Sequence, residues 1–216
     1  MDRRDEDEEP TYLIIRNLQQ AVAESDDVDL EEYLRFWRQV CRMMSEWGAV
    51  FGFVVSDVND KISKLMQKKN SDSEGYRSFL SMATKEKENG TIRNPKPNRS
   101  GTGHIMVLNR ALEFVIDMLD GVYSASDPAT KVSSIARASY QEHLSHFHSW
   151  PVRAAVSAAL FTLPRKREFL MRIRGQAPES DDAQFHAVFL RNGREIVRRV
   201  NVLVQAFELT DWNPSA

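Results

Sequence analysis

Residues 51–69, FGFVVSDVNDKISKLMQKK, limit how this chain can fold more than any other stretch. At about 100° per residue on an α-helix, Phe51, Val54, Val58, Ile62 and Leu65 align as an apolar stripe. Asp57, Lys61, Lys64 and Lys68 form a second stripe, within roughly 40° of one another by the same geometry. The stripes are neighbours and not opposites, so the carboxylate and the first lysines should border the buried face. Such a helix resembles the mouth of a pocket for an amphiphile. The plainer reading stays open: an Asp–Lys pair four residues apart also steadies any helix, by about 0.2–0.5 kcal/mol.

The remainder of the chain gives that helix other helices to pack against. Apolar residues recur at helical spacing from Thr11 to about Glu24, and SDDVD then links to a second segment. Asp29 and Glu32 have the spacing of a capping box, and Leu30, Tyr33, Leu34, Trp37, Val40, Cys41 and Met44 share a face. Gly48 marks a bend before the Asp57 helix. SDSEGYR should open a shorter helix running through Ala83. The stretch 90–103, GTIRNPKPNRSGTG, reads as a loop because its prolines and glycines oppose regular structure. Its Arg93, Lys96 and Arg99 suggest a solvated basic connection ahead of a nucleic-acid patch.

HIMVLNRALEFVIDMLDGVY is a strongly apolar helix carrying Arg110. Asp127–Pro128 has the form of a helix start with proline in the first turn, and Trp150–Pro151 interrupts that helix. VRAAVSAALFTL is rich in small residues suited to close packing. Pro164 restarts the chain, and a last helix runs from about Gln184 to Leu209. No stretch shows strand alternation, and no repeat is visible. The class is all-α, a single two-layer domain of about eight helices.

Composition narrows the function. With 42% hydrophobic and 28% charged residues, the chain has a soluble protein's balance. No apolar run approaches the ~20 residues of a membrane span. MDRRDEDEEP has no apolar core, so no secretory leader is expected. The single cysteine, Cys41, fits a reducing, cytoplasmic setting. A net charge of −2 argues against general nucleic-acid binding.

Chemistry is weakly signalled. His143, His146 and His148 in HLSHFH invite a metal, but they do not share one helical face and no HExxH is present, so none is expected. A hydrolase would need Asp57 or Glu113 to orient His148 towards a serine, and no GxSxG elbow exists. P-loop and GxGxxG motifs are absent. No cofactor is implied.

SHFHSWPV followed by AALFTLPRKREFL is more specific. Phe147, His148, Ser149 and Trp150 match in order the aromatic–His–small–Trp run of the glycolipid transfer protein family. Asp57, Lys61 and Lys64 match an upstream Asp with polar or basic residues four and seven positions on. Arg110, Ala111 and Leu112 match a basic–small–Leu run between them. The chain resembles that family from about Tyr12 to Phe207.

The resemblance implies a fold that encloses a sphingolipid, with ceramide chains in an apolar pocket and the head group at a surface site. Asp57 would accept from the ceramide amide, and His148 would donate to its carbonyl. Lys61, Lys64 and Arg110 would bind the head. Trp150 would dock on the membrane, with Arg165, Lys166 and Arg167 adding attraction to anionic lipid; the alternative is that Trp150 anchors the core. Residues 1–10 are expected to be an acidic tail, 11–209 the domain and 210–216 a C-terminal tail. The chain departs from glycolipid-selective members at Lys61, where they carry Asn, and at Met106–Val107, where they carry a Trp. The phosphate-selective branch, the ceramide-1-phosphate transfer proteins, has a second arginine in that same turn, absent here. Lys61, Lys64 and Arg110 tilt the expectation to an anionic head, with a loop cation such as Arg99 standing in for the missing one.

The expected role is therefore lipid transfer between membranes, without catalysis. The protein should act as a monomer with transient membrane contact and no nucleic-acid partner. A helical protein-interaction scaffold, or a sensor that binds lipid without moving it, remains the rival.

Overall fold

In the computed structural model, which describes residues 10–23, 26–45 and 47–215, α2 (Leu30–Ser45) starts where its sequence says it should. The Asp29 carboxylate accepts from the Glu32 backbone N–H at 2.9 Å, satisfying one of the donors that a helix N-terminus leaves unpaired. Its apolar stripe is buried from Leu30 to Cys41, with Tyr33, Leu34 and Phe36 fully enclosed and Met44 partly buried. Cys41 is buried in the same stripe, where desolvation pushes its thiol pKa up to about 12. Gly48 makes the expected bend at φ 116°, a conformation that costs residues with a Cβ.

The elements that follow are α3 (Gly52–Ser71), α4 (Phe79–Glu88), α5 (Gly101–Ser124), α6 (Val132–His143), α7 (Trp150–Phe161), α8 (Lys166–Arg174) and α9 (Asp182–Ala206), with α1 (Pro10–Ala21) ahead of α2. The described residues thus hold nine α-helices and no strand, in two layers. α1 packs on α2 and α9, α2 on α3, and α5 on α3, α4, α6 and α9. Phe36, Trp37, Phe169, Phe185 and Phe189 fill the interior, each at most 5% exposed. The expected acidic tail lies mostly outside the described residues.

Local hydrogen bonding moves three boundaries. SDSEGYR is a turn and not the start of a helix: the Asp72 side chain takes the Gly75 N–H, and the Asp72 carbonyl takes that of Tyr76. α4 begins only after Ser78, whose hydroxyl caps Ser81 N–H. Asp127–Pro128 likewise forms a turn, with the Asp127 carboxylate on Ala129 N–H at 2.7 Å. The carbonyls of Pro128 and Thr130 are taken by the start of α8, so they cannot open a helix.

The third change bears on function. RSGTG opens α5 where a loop was expected. The Glu86 carboxylate, 1% exposed, accepts from Gly101 N–H at 2.6 Å, Thr102 N–H at 2.9 Å and the Thr102 hydroxyl at 2.7 Å. A negative charge there also complements the positive end of the helix dipole. Ser100 caps the same turn, accepting from Gly103 N–H and donating to the Ile92 carbonyl.

Glu86→Ala leaves those buried N–H groups without an acceptor and should destabilise the fold by about 3 kcal/mol or more, with Glu86→Gln keeping part of the loss in hand. Urea unfolding measures both; an Ala variant within 0.5 kcal/mol of the wild type, roughly the effect of an ordinary surface change, would remove Glu86 from this role.

Candidate functional site

α3 carries Asp57 and Lys61 to the edge of the core, as its two stripes require. Lys61 is 5% exposed. Its ammonium donates to Asp57 Oδ1 at 2.6 Å and to the Asp57 carbonyl at 3.1 Å. The Asp57 side chain is 69% exposed, so the pair joins a buried cation to a carboxylate at the surface. Burial lowers the Lys61 pKa, the Asp57 carboxylate opposes that, and the charge of Arg99 presses it down again.

His148 comes to the same place from the turn before α7. Its Nδ1 lies 2.8 Å from the Tyr140 hydroxyl of α6. Burial lowers the His148 pKa below its usual value, while Asp57 pulls it up and Lys61 pulls it down. The ring is then neutral near pH 7. In a neutral ring, a Tyr140 hydroxyl that donates to Nδ1 would leave the ring proton on Nε2 as a hydrogen-bond donor.

Arg110, on α5, places its guanidinium carbon over the Phe147 ring at 3.6 Å from its centroid and donates to Asn213 Oδ1 at 3.1 Å. Residues 210–215, within the expected tail, fold back along α5: Trp212 stands over Gly103, and Asn213 and Ser215 accept from Arg110. Beside Arg110 is a cleft of about 340 Å³ that also touches Glu113, Glu142, His143, His146 and Trp212.

Lys64 does not join this group. It shares a stripe with Lys61 but pairs with Asp60 at 2.8 Å on the exposed side. The histidines of HLSHFH diverge: His143 faces Asp117 at 3.7 Å while His148 faces Tyr140. No group of three His, Cys, Asp or Glu side chains able to hold a metal occurs among the described residues.

Sequence reasoning gave no role to Tyr140 or His104. His104, 4% exposed in the first turn of α5, has an Nδ1 without a partner. Burial brings its pKa down to about 3, helped by the charges of Arg99, Lys61 and Lys64 against Asp60. Its one visible signal was a polar residue opening an otherwise apolar run.

Trp150 is 73% exposed, which excludes the core-anchor alternative. α7 is not closely packed as its small residues suggested. It contacts α6 and buries only Ala159 and Leu160, leaving Phe161 76% exposed and Val152 39% exposed. Of the basic run, Arg167 is exposed, while Arg165 donates to the Ala129 carbonyl at 2.7 Å. Lys166 donates to the carbonyls of Tyr123 and Ala125, where it caps the end of α5.

A two-layer helical fold with a closed apolar interior, and a polar mouth of buried cations and neutral histidine, defines a protein built around an amphiphile. The chain belongs to the glycolipid transfer protein family, whose model matches residues 28–175. It is 30% identical over 173 residues to the ceramide-1-phosphate transfer protein of Mus musculus, covering 77% of this chain and 80% of that one. The crystal structure of the mouse ceramide-1-phosphate transfer protein in its apo form superposes with a TM-score of 0.86 at 25% identity, covering 95% of this chain and 100% of that one. The human protein in complex with 12:0 ceramide-1-phosphate superposes with a TM-score of 0.83, also at 25% identity, over 94% and 98% of the two chains.

The buried neutral His104 predicts an acid-sensitive fold. Its folded pKa lies below the unfolded value near 6.5, so the unfolded chain binds the proton first and stability falls as pH drops from 6.5 towards 3. His104→Gln should flatten the fall in melting temperature between pH 6.5 and 5. A fall as steep as the wild type's would show that His104 carries no such cost.

Proposed function

We propose that the protein binds a sphingolipid and moves it between membranes, with a phosphomonoester head group as in ceramide-1-phosphate. The carrying observation is Lys61, a lysine 5% exposed at the apolar edge, bonded to an exposed aspartate. A helix-stabilising pair alone does not need its lysine desolvated. A charge kept there is useful when an anion arrives to share it, since charge-assisted bonds are roughly twice as strong as neutral ones. The family and the phosphate-headed ligand of the human relative support the same reading.

In this account Asp57 accepts from the ceramide amide N–H and His148 Nε2–H donates to its carbonyl, so neither polar group is buried unpaired, which otherwise costs about 1–3 kcal/mol each. Lys61 and Arg110 take the head group. The acyl chains enter between the layers by displacing side chains such as Phe36 and Phe189, at a gain of about 0.8 kcal/mol per buried CH₂. The exposed apolar residues of α7, with Trp150 at its start, rest on the membrane interface, where an indole accommodates both its apolar body and its N–H. No covalent step is involved, and the reducing cytoplasm is the compartment that suits a lone thiol.

Intervesicle transfer by variants tests this. Asp57→Ala should abolish transfer of any ceramide-based lipid with circular dichroism unchanged. Lys61→Ala should slow ceramide-1-phosphate about tenfold, one charge-assisted bond's worth, and galactosylceramide much less. Equal loss on both lipids in Lys61→Ala would reduce the pair to a structural one.

A further inference from the structure

We propose that Arg99, from the loop before α5, is the second cation of the head-group site and with Lys61 sets the preference for a phosphomonoester over a neutral head. This rests on the sphingolipid reading above and names the residue that gives the site its selectivity.

Arg99 is 5% exposed, although its loop is rich in proline and polar residues. Its Nε has no hydrogen-bond partner among the described residues, and no carboxylate among them lies within 4 Å of its guanidinium. A buried N–H without an acceptor is costly, and folded proteins rarely keep one without a use. The protein nonetheless holds it in place with care. Ser100, the next residue, is pinned to Ile92 and Gly103. Upstream, Arg93 is tied to Asp211 at 3.0 Å and to the Glu208 carbonyl. Gly103 leaves the room that the Arg99 stem occupies: a Cβ there would lie 3.0 Å from Arg99 Cγ and 2.7 Å from the Trp212 ring.

The surroundings select an anion. Arg99 is near enough to Lys61, His104 and Arg110 for its charge to oppose protonation of each, and Asp57 and Asp60 are the acids that steady it. One of those acids is already bonded to Lys61 and the other to Lys64. The helix N-terminus beside it offers no alternative anion site, because Glu86 fills it. α5 supplies no cation at Met106 or Val107. A dianionic phosphate with several acceptor oxygens answers both the unpaired Nε–H and the surplus charge. A sugar hydroxyl answers the first alone.

Full-length wild type, Arg99→Met and Arg99→Lys are compared for transfer from phosphatidylcholine vesicles carrying ceramide-1-phosphate, ceramide or galactosylceramide. Melting temperatures are taken without ligand, with short-chain ceramide-1-phosphate and with inorganic phosphate. Arg99→Met should lose about tenfold or more on ceramide-1-phosphate, a charge-assisted contact's worth, change little on the neutral lipids, and melt no lower than the wild type when empty. Arg99→Lys should recover part of the loss. Gly103→Ala, which displaces the Arg99 stem and keeps its charge, should show the same selective loss.

Unchanged ceramide-1-phosphate transfer in Arg99→Met, or equal losses on all lipids together with a lower melting point, would overturn the inference alone. A wild type that moves no ceramide-1-phosphate would overturn the functional reading and this inference with it. Inorganic phosphate that stabilises the wild type as much as the lipid does would overturn the lipid head as the source of the anion.

Discussion

Positive charge held in a low-dielectric edge, with too little negative charge beside it, is the constraint on which this structure turns. Lys61 and Arg99 are each 5% exposed, and Arg110 is partly buried over Phe147. The acids in reach of Lys61 and Arg99 are Asp57, whose side chain is mostly in solvent, and Asp60, which already serves Lys64, while Glu113 faces Arg110. Desolvating a cation is expensive unless a partner is close and well oriented. A fold selected for stability alone would replace such groups with apolar ones. On the proposed reading, keeping them would make the empty protein less stable and the anion-bound protein more so, coupling ligand capture to the fold itself.

The rest of the fold holds that charge where it is. Glu86 anchors the first turn of α5 from a helix packed beside it and thereby fixes Arg99 and His104, which flank that turn. Lys166 closes the other end of α5 on the carbonyls of Tyr123 and Ala125. Tyr140 holds the His148 ring by a 2.8 Å contact between its hydroxyl and Nδ1. α7 lies apart from these supports, contacting α6 and leaving Trp150 and Phe161 exposed.

Much of this was legible in the sequence, wherever cause and effect lie within a few residues. The cap at Asp29 and the apolar stripe of α3 follow from local periodicity and are found as expected. The glycine-rich start of α5 was misjudged because its cap, Glu86, lies 15 residues upstream of Gly101 and acts through tertiary contact. Asp127–Pro128 was misjudged because α8 consumes the carbonyls that a helix there would have used. Lys61 and Lys64 share a stripe, and only the packed neighbours decide that one is buried and the other 45% exposed. Arg99 looked like a solvated loop residue because its burial comes from tertiary packing that its proline-rich, polar loop does not signal.

The most direct test is the wild-type protein's own preference, measured as transfer rates of ceramide-1-phosphate, ceramide and galactosylceramide of matched acyl length between phosphatidylcholine vesicles at several salt concentrations. A site built on buried cations predicts that ceramide-1-phosphate moves at least about tenfold faster than either neutral lipid and keeps most of that advantage as salt rises, because buried charges are weakly screened. Equal rates for the three lipids, or an advantage that vanishes with salt, would contradict the account.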